Sequence, residues 1–395
     1  MVREGRCDVI VLGAGISGLL LASELSKAHS VIVLEKKVSI PRMKYWVTNL
    51  ESLRVNPELA PFVESQLNHM DIIAHDYSFC RVYGPFPMWN TNALVDYLVG
   101  VIEGNTSSIY TDRRFYNYYY EKDQVVVQAG SQKWAGKLLI DCMGSESPII
   151  DMSGALQVAG YYVVYGRELL LRKSMDSIAF YNIAIGRGPY YVEVFPTPRA
   201  TAHATVILPV STPRSKHTLV EEFEFVFGGS HLSQYFDVQS EVATSYGGVI
   251  PVGQLRFSAL DRIYFFGESG QLNPAATATG FTRMLYHYKD LSLKLSNHIR
   301  SGRLKRRDLS SIDIQFMSEF NRKIQLSVFR EMQHWTSNDF RDLISQLQRI
   351  DNGVLVDILF GDISVSRLLS PKSLRGLIQS GNHILLRNAL KAIIY

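Results

Sequence analysis

Three glycines near the start of the chain have the spacing of a dinucleotide-binding loop. Gly13, Gly15 and Gly18 form G-x-G-x-x-G between the apolar run "CDVIVL" and an apolar helical stretch. Gly13 permits a tight turn, Gly15 lets a pyrophosphate approach the backbone, and Gly18 lets helix and strand pack closely. The free N–H groups at the helix start favour an anion. The pattern predicts a bound dinucleotide.

A carboxylate follows at the position that a ribose requires. Glu35 ends "VIVLE", the next apolar strand, so the chain reads strand, glycine turn, helix, strand. A carboxylate there can accept both ribose hydroxyls of an adenosine and would repel a 2′-phosphate. The alternative is a coincidental glycine turn, against which Glu35 argues. The glycine loop alone does not separate FAD from NAD.

The segment "FFGESGQLNPAATATGF", which begins at residue 265, separates these two cofactors. An NAD enzyme has no general need for a distant strand that ends in Gly-Glu and leads through Asn-Pro into a helix. Extended FAD needs a second loop to receive its ribityl chain and isoalloxazine ring. We therefore predict FAD, with Gly267 and Glu268 beside the ribityl chain and phosphate.

The end of the same segment predicts contacts to the flavin ring. Backbone N–H groups around Thr279, Gly280 and Phe281 lie where a helix begins. At a helix N-terminus they can face the pyrimidine edge and stabilise the negative charge of reduced flavin. The alternative is an ordinary strand, loop and capped helix.

The elements that must position these residues predict an α/β fold. The chain of 395 residues is long enough for a Rossmann-type FAD-binding domain with an inserted antiparallel β-sheet substrate domain and a helical C-terminal region. The inserted sheet is predicted from aromatic strands such as "GYYVVYGRELLL" and "PYYVEVFP". The predicted ranges are 1–154 and 256–309 for the FAD-binding domain, 155–255 for the sheet and 310–395 for the helices.

The predicted ligand besides FAD is a hydrophobic small molecule. The composition is 46% hydrophobic and includes 21 tyrosines and 19 phenylalanines, enough to line an apolar cavity as well as a core. An aromatic strand face is also compatible with core alone. Nucleic acid is not predicted, because the aromatics lie in apolar strands instead of among basic residues.

Net charge and cysteine content indicate where in the cell the protein is located. The net charge is +4, and no acidic residue occurs in the sequence among the basic residues of the C-terminal tail: Arg367, Lys372, Arg375, Arg387 and Lys391. Such a tail is a solvated face or a contact with anionic lipid. Three widely separated cysteines without a Cys/His cluster predict neither disulfides nor a metal site. With no signal peptide and no membrane-spanning run, we predict a cytoplasmic protein, soluble or peripheral to the membrane.

Several segments resemble one group of flavoenzymes. "GAGISG" with Glu35, then "LLIDCMG", "GGVIPVG" and "FFGESGQLNPAATATGF" recur in this order in the FAD enzymes that include lycopene cyclases and geranylgeranyl reductases. "VAGYYVVYGREL" looks like a lycopene-cyclase segment, and "VLVDILFGDISVSRLL" is similar to the group's helical C-terminus. The resemblance implies an FAD enzyme acting on a polyene, an isoprenoid or a similar apolar substrate by redox chemistry or redox-neutral cyclisation.

The sequence differs from that of the lycopene cyclases at the position of their acidic residues. Lycopene cyclases carry adjacent glutamates where "FPTPRATAHATVILP" has Thr205 and Val206. The nearest candidate acids are His203 in this stretch and Glu193 on the preceding strand. A structural histidine and a solvent-facing glutamate are the alternatives.

Two further functions remain open, a flavin monooxygenase of an aromatic or polyketide-like substrate and a non-catalytic flavin-binding partner subunit. NAD(P)H is the candidate external reductant.

Overall fold

The computed structural model of the protein describes residues 4–42, 45–175, 177–185, 188–238, 245–312, 317–361 and 367. Its strands are β1 (Glu4–Leu12), β2 (Val31–Leu34), β3 (Trp46–Val47), β4 (Val63–Ile73), β5 (Phe79–Trp89), β6 (Ser108–Tyr110), β7 (Phe115–Glu121), β8 (Gln124–Ala129), β9 (Gln132–Asp141), β10 (Leu156–Leu171), β11 (Ile178–Ile185), β12 (Gly188–Pro196), β13 (Thr201–Val210), β14 (Phe236–Asp237), β15 (Tyr246–Leu255), β16 (Ala259–Leu260) and β17 (Ile263–Phe265). Its helices are α1 (Ile16–Leu25), α2 (Leu50–Arg54), α3 (Thr91–Glu103), α4 (Pro148–Ser153), α5 (Val220–Glu224), α6 (Gly280–Ser301), α7 (Arg306–Ser310), α8 (Glu319–Met332), α9 (Ser337–Leu347) and α10 (Asn352–Leu359).

The first sheet is built around parallel strands. Its order is β16-β17-β9-β1-β2-β6, and the β7–β8 hairpin is attached to β9. Strands β17, β9, β1, β2 and β6 run parallel, whereas β16 is antiparallel to β17. The carboxyl ends of β1, β2, β9 and β17 therefore meet at one edge, where ligands bind in open α/β sheets.

Both faces of this sheet are covered, which explains its continuous apolar strands. Val9, Ile10, Val11 and Leu12 of β1 are all 1% exposed or less. Helices α1, α3 and α6 contribute to the core on one face, and the β7–β8 hairpin contributes to the core on the other. A central strand buried on two faces has no need for polar alternation.

The second sheet is mixed and mostly antiparallel. Its order is β14-β10-β13-β12-β11-β4-β5-β3, with β15 also paired to β10. The aromatic strands predicted from the sequence form its centre, and β4 and β5, which precede them in the chain, extend it. One face packs on α5 and neighbouring aromatic residues. We call the opposite face, which includes Tyr162, Thr205 and Glu193, the site face.

Helices α8, α9 and α10 follow the two sheets and bury apolar side chains against β4 and β5. Helix α9 begins with a capping box, in which Thr336 and Asp339 satisfy each other's backbone N–H groups. These three helices lie in the described part of the predicted C-terminal region.

The mixed α/β fold predicted from the sequence is confirmed, whereas the domain boundaries at 154, 255 and 309 stay predictions. Arg367 of the basic tail forms an ion pair with Asp357 at 2.9 Å. The other four basic residues of the tail lie outside the described residues. Among the described helices, none is both long and apolar enough to cross a bilayer.

Candidate functional site

The predicted flavin segments meet at the carboxyl edge of the parallel sheet. The Cys142 N–H donates to Leu12 O at 2.9 Å, and the Phe266 N–H donates to Asp141 O at 3.0 Å. These bonds hold the loops after β1, β9 and β17 side by side. The glycine loop and the segment from residue 265 are therefore neighbours in space.

The glycine loop has the geometry that its sequence predicts. Gly13 has φ +100°, and a Cβ there would lie 2.5 Å from Cys142 O. A Cβ on Gly18 would lie 2.1 Å from Gly13 O, so this glycine permits close packing of helix and strand. A Cβ on Gly15 would meet nothing within 4 Å. The side of Gly15 is open, as approach by a pyrophosphate requires.

Glu35 lies beside this loop and is 5% exposed. Its Oε2 accepts from the Ala14 N–H and its Oε1 from the Lys37 N–H, each at 2.9 Å. The two backbone donors fix the carboxylate at the end of β2. Ribose binding by Glu35 stays a prediction, and its place next to the glycine loop is compatible with that role.

Gly267 closes the site from the other side. It has φ +75°, and a Cβ there would lie 2.5 Å from Ser17 Oγ in the first turn of α1. The following residue, Glu268, accepts from the Ser145 N–H at 3.0 Å. Burial raises the pKa of the Glu268 carboxyl, and the hydrogen bonds from Ser145 oppose that shift. This buried carboxyl joins the loop after β9 to the loop after β17.

Asp141 is a buried carboxyl of the site that the sequence did not single out. It ends β9 and is fully buried, and burial raises its pKa to about 6. Its side chain accepts from the Met143 N–H at 3.0 Å and from the Ser147 hydroxyl. The signal that could have found it is its position at the end of a strand that enters the same sheet edge.

The loop between Pro274 and Thr279 is held from several sides. The Tyr162 hydroxyl on the site face donates to Ala275 O at 2.9 Å, and Gln325 Oε1 of α8 accepts from the Ala276 N–H at 2.9 Å. The Thr279 hydroxyl donates to Leu359 O at 3.2 Å. The second sheet and the C-terminal helices therefore fix the approach to α6.

Helix α6 begins at Gly280, close to the predicted N-terminus. A Cβ on Gly280 would lie 1.6 Å from Asn273 Oδ1, so a side chain at this position has no room. The Phe281 ring is buried, with centroids 4.7 Å from Trp46 and 5.7 Å from Trp89. Any flavin contact of Phe281 is thus left to its backbone, as predicted for Thr279, Gly280 and Phe281 together.

Sheet register places the two candidate acids on the site face. Thr205 lies opposite Glu193 on one side and Gly166 on the other, and His203 lies opposite Glu168. Directly opposed residues of an antiparallel sheet share a face. His203 and Glu193 are therefore on one face, two positions apart in register. His203 is buried, whereas Glu193 is partly exposed.

Two tyrosines beside His203 were not predicted. The His203 ring centroid lies 5.6 Å from that of Tyr45 and 6.0 Å from that of Tyr246. The Tyr246 hydroxyl shares a hydrogen bond of 2.8 Å with the Thr205 hydroxyl. A Cβ on Gly166 would lie 2.5 Å from the Tyr246 ring, so the absence of a side chain there makes room for the phenol.

Tyr45 links this part of the site face to a third carboxylate. Burial, together with a hydrogen bond to Glu64, raises the pKa of the Tyr45 phenol to about 12. Glu64 also lies 3.9 Å from Arg199, measured from Oε1 to Nε. Trp46, next in the chain, is the residue that packs on Phe281.

Comparison with known proteins gives a fold but no sequence family. No family model and no curated protein matches the chain. A solved geranylgeranyl bacteriochlorophyll reductase-like protein from Thermoplasma acidophilum superposes with a TM-score of 0.78 at 12% identity, over 99% of this chain and 100% of that one. The chain has the fold of this reductase-like protein. The predicted resemblance is confirmed at the level of the fold.

Other similar structures are flavoproteins with different chemistry. The halogenase PltM, solved in complex with FAD, matches with a TM-score of 0.66 at 14% identity, over 98% of this chain and 85% of that one. p-Nitrophenol 4-monooxygenase from Pseudomonas putida matches with a TM-score of 0.63 at 13% identity, over 96% and 99%. One fold therefore supports several reactions, and the reaction has to be inferred from the residues of the site.

The register places the two residues that stand where lycopene cyclases carry glutamates on opposite faces of the second sheet. Val206 points to the opposite face of the second sheet, where it is fully buried in the core, whereas Thr205 lies on the site face. Only the first of the two positions can therefore contribute a polar group to the site. That group is a hydroxyl bound to Tyr246.

The cysteines have raised pKa values, and one open cavity is lined by none of these candidate residues. Burial raises the pKa of Cys7 to about 12 and that of Cys80 to about 11, and it also raises that of Cys142. Within the described ranges, no three His, Cys, Asp or Glu side chains are grouped to hold a metal. An open cavity of about 880 Å³ lies near β16 and α7, lined by Arg256, Lys305 and Arg306 among others.

Proposed function

We propose that the protein is an FAD-dependent oxidoreductase that acts on a largely apolar substrate. The observation that carries the proposal is the packing of Gly267 against Ser17, which brings the second predicted flavin segment onto the helix after the glycine loop. An ordinary strand and turn would not need to reach that helix.

The residues at the sheet edge fit the adenosine end of FAD. Gly13 has a left-handed backbone conformation, Gly15 leaves its side open, and Glu35 lies next to the loop with both oxygens fixed. The pyrophosphate would lie at the start of α1 and the adenosine ribose at Glu35. The complex of PltM with FAD on a similar fold supports this assignment.

The flavin end would lie between α6 and the site face. FAD supplies two-electron redox chemistry when bound. The chain would contribute the N–H groups at the start of α6, which favour negative charge on the ring. Trp46, Trp89 and Phe281 exclude water behind that helix start. NAD(P)H is the proposed external reductant.

The substrate would lie on the site face. Val164 and Ile207 supply an apolar surface between Tyr162, which holds the flavin loop, and the polar residues around His203. A polyene or isoprenoid chain fits such a surface by burial of its apolar area. His203 and Glu193 remain the proposed proton-transferring candidates.

A flavin spectrum of the purified protein, with mass analysis of the released cofactor and any co-purified apolar ligand, tests the proposal. Gly267→Ala should lower FAD occupancy several-fold, because the added methyl group meets Ser17. Gly302→Ala is the matched control: it has a similar φ of +67° but nothing within 4 Å of a Cβ. Absence of FAD, or full occupancy in Gly267→Ala, would contradict the proposal.

A monooxygenase is the second candidate, supported by the similar fold of p-nitrophenol 4-monooxygenase. Oxygen consumption coupled to hydroxylation of an aromatic substrate would favour it, and anaerobic turnover of a polyene would favour the first proposal. If no compound of a lipid and polyketide panel reoxidises the photoreduced flavin, a non-catalytic flavin-binding subunit is the better description.

A further inference from the structure

The site face changes from apolar to polar along its strands. The pairs Tyr162–Pro209, Val164–Ile207, Gly166–Thr205 and Glu168–His203 follow one another across β10 and β13. Successive pairs on one face are about 7 Å apart along the strands, since each strand residue advances about 3.4 Å. The polar pairs therefore begin about 14 Å from the pair that holds the flavin loop.

The polar end contains three rings that can form hydrogen bonds. Tyr45, His203 and Tyr246 lie side by side, and we call them the ring row. His203 is 7% exposed, and burial raises the pKa of the Tyr246 phenol, which therefore keeps its proton at neutral pH. A hydrocarbon placed against these groups would remove them from water without offering hydrogen bonds, which is unfavourable.

The charges around the ring row have mostly one sign. Glu64 is bound to Tyr45, Glu193 lies opposite Thr205, and Glu168 lies opposite His203. The Arg199 side chain, which is 69% exposed, lies near Glu64. Glu168 also accepts from the Thr201 hydroxyl at 2.6 Å. Three carboxylates and one exposed guanidinium disfavour the binding of an anionic ligand at this place.

We infer that the substrate is an apolar chain or ring system with an uncharged oxygen at one end, which the ring row binds, and that a free alcohol or aldehyde is accepted where a diphosphate is rejected. This inference rests on the proposed function for the location of the substrate. A few convergent polar groups in an otherwise apolar site fix the orientation of a ligand. The neutral oxygen would be held by Tyr246 and His203, with the apolar body over Val164 and Ile207.

Equilibrium dialysis with three probes tests the inference: geranylgeraniol, geranylgeranyl diphosphate, and the hydrocarbon in which hydrogen replaces the hydroxyl group. The purified protein should bind the alcohol about tenfold more tightly than either other probe, as one buried hydrogen bond and one charge repulsion predict. Equal binding of the alcohol and the hydrocarbon, tighter binding of the diphosphate, or no binding of any probe would overturn it.

Three variants test which residues cause the preference for the alcohol over the hydrocarbon and the diphosphate. Tyr246→Phe should bring the affinities for alcohol and hydrocarbon within about threefold, because it deletes only the hydroxyl group, and Tyr45→Phe should weaken the same preference less. Glu193→Gln should reduce the discrimination against the diphosphate. Tyr190→Phe is the matched control, because Tyr190 is a buried tyrosine whose side chain lies on the face of β12 opposite to the site face. Its hydroxyl donates to Glu222. Retention of the full preference in Tyr246→Phe would assign the recognition elsewhere.

The experiments distinguish a failure of the oxidoreductase proposal from a failure of the assignment of the ring row. Dialysis requires no flavin, so a protein that shows the preference for the alcohol but lacks FAD would refute the oxidoreductase proposal alone. A protein that carries FAD but binds the three probes equally would refute the assignment of the ring row alone.

Discussion

At the scale of single residues, the site depends on which glycines have room for a side chain. Gly13 and Gly18 are closely surrounded by backbone, whereas Gly15 faces open space. The first two are therefore required by the fold itself, and the third is required only by a ligand. This difference allows the cofactor site to be removed without loss of the fold.

Gly15→Val should give a folded protein without FAD. The backbone of Gly15 is extended, with φ −72° and ψ 172°, so a branched side chain is tolerated there. The side chain would occupy the space that the pyrophosphate needs. Flavin absorbance should be lost while the melting temperature of the flavin-free protein changes by no more than a few degrees.

Gly100→Val on α3 is the control, since a Cβ there also meets nothing within 4 Å. It should keep the flavin. Full absorbance in Gly15→Val would show that the pyrophosphate does not approach at this residue.

Asp141 should make stability depend on pH. Its pKa is raised from 3.8 to about 6, so between these values the folded protein keeps a proton that the unfolded chain has lost. Stability falls with pH wherever the folded state binds more protons, here by about 3 kcal/mol in total between pH 3.8 and 6. Urea unfolding of Asp141→Asn from pH 4 to 7 should lack this decrease.

The fully exposed carboxylate of Asp123 supplies the comparison. Asp123→Asn should retain the pH dependence of the unmodified protein. A parallel pH profile for Asp141→Asn and the unmodified protein would mean that Asp141 titrates normally.

At the scale of elements, the start of α6 is the part on which the flavin proposal depends most. Its approach is fixed by β10, α8 and α10 through hydrogen bonds to the loop before it. A substitution of Gly280 cannot test the electrostatic effect of the start of α6 on the flavin, because any side chain at this position would collide with Asn273. Ala278 is exposed, has φ +53° and lies two residues before the helix.

Ala278→Asp should lower the flavin reduction potential relative to Ala278→Asn. Both residues tolerate a positive φ, and they differ in charge but hardly in size. A negative charge near the helix start opposes the extra negative charge of reduced flavin, and an interaction of about 0.3–1 kcal/mol corresponds to about 6–20 mV for a two-electron couple. Equilibrium dye reduction measures the difference.

Asn297→Asp, on the exposed far part of α6, should leave the potential unchanged. Equal potentials for Ala278→Asp and Ala278→Asn would place the isoalloxazine away from this helix start.

At the scale of the whole molecule, charge is distributed unevenly. The site face carries carboxylates, whereas basic residues cluster in the C-terminal tail and around the cavity near α7. An apolar substrate taken from a membrane would enter most readily if a basic surface held the protein there. The tail is the proposed surface.

Deletion of residues 372–395 should weaken flotation with anionic vesicles. The segment contains Lys372, Arg375, Arg387 and Lys391, and each contributes about 1 kcal/mol when it reaches an anionic surface. The binding should weaken with salt. The double substitution Lys305→Glu and Arg307→Glu is the comparison, and an effect of this variant alone would place the contact at the cavity near α7.

The sequence by itself predicted the βαβ unit, the glycine loop, Glu35 and a helix that begins at about Thr279, one residue before the observed start of α6. These features depend on contiguous residues: apolar runs, a glycine spacing, and the change from strand to helix. His203 and Glu193 were also identified, but only as candidates, because a strand residue does not reveal which face it shares with its neighbours.

The tertiary structure decided what surrounds those candidates. Tyr45 and Tyr246 are distant from His203 in the chain: Tyr246 comes beside it through the register of β15 and β13 with β10, and Tyr45 through the packing of the segment before β3. Asp141 lies next to Phe266 because parallel strands end at one edge. A shift of one residue in register turns every side chain to the opposite face, so no local pattern can determine such a group of residues.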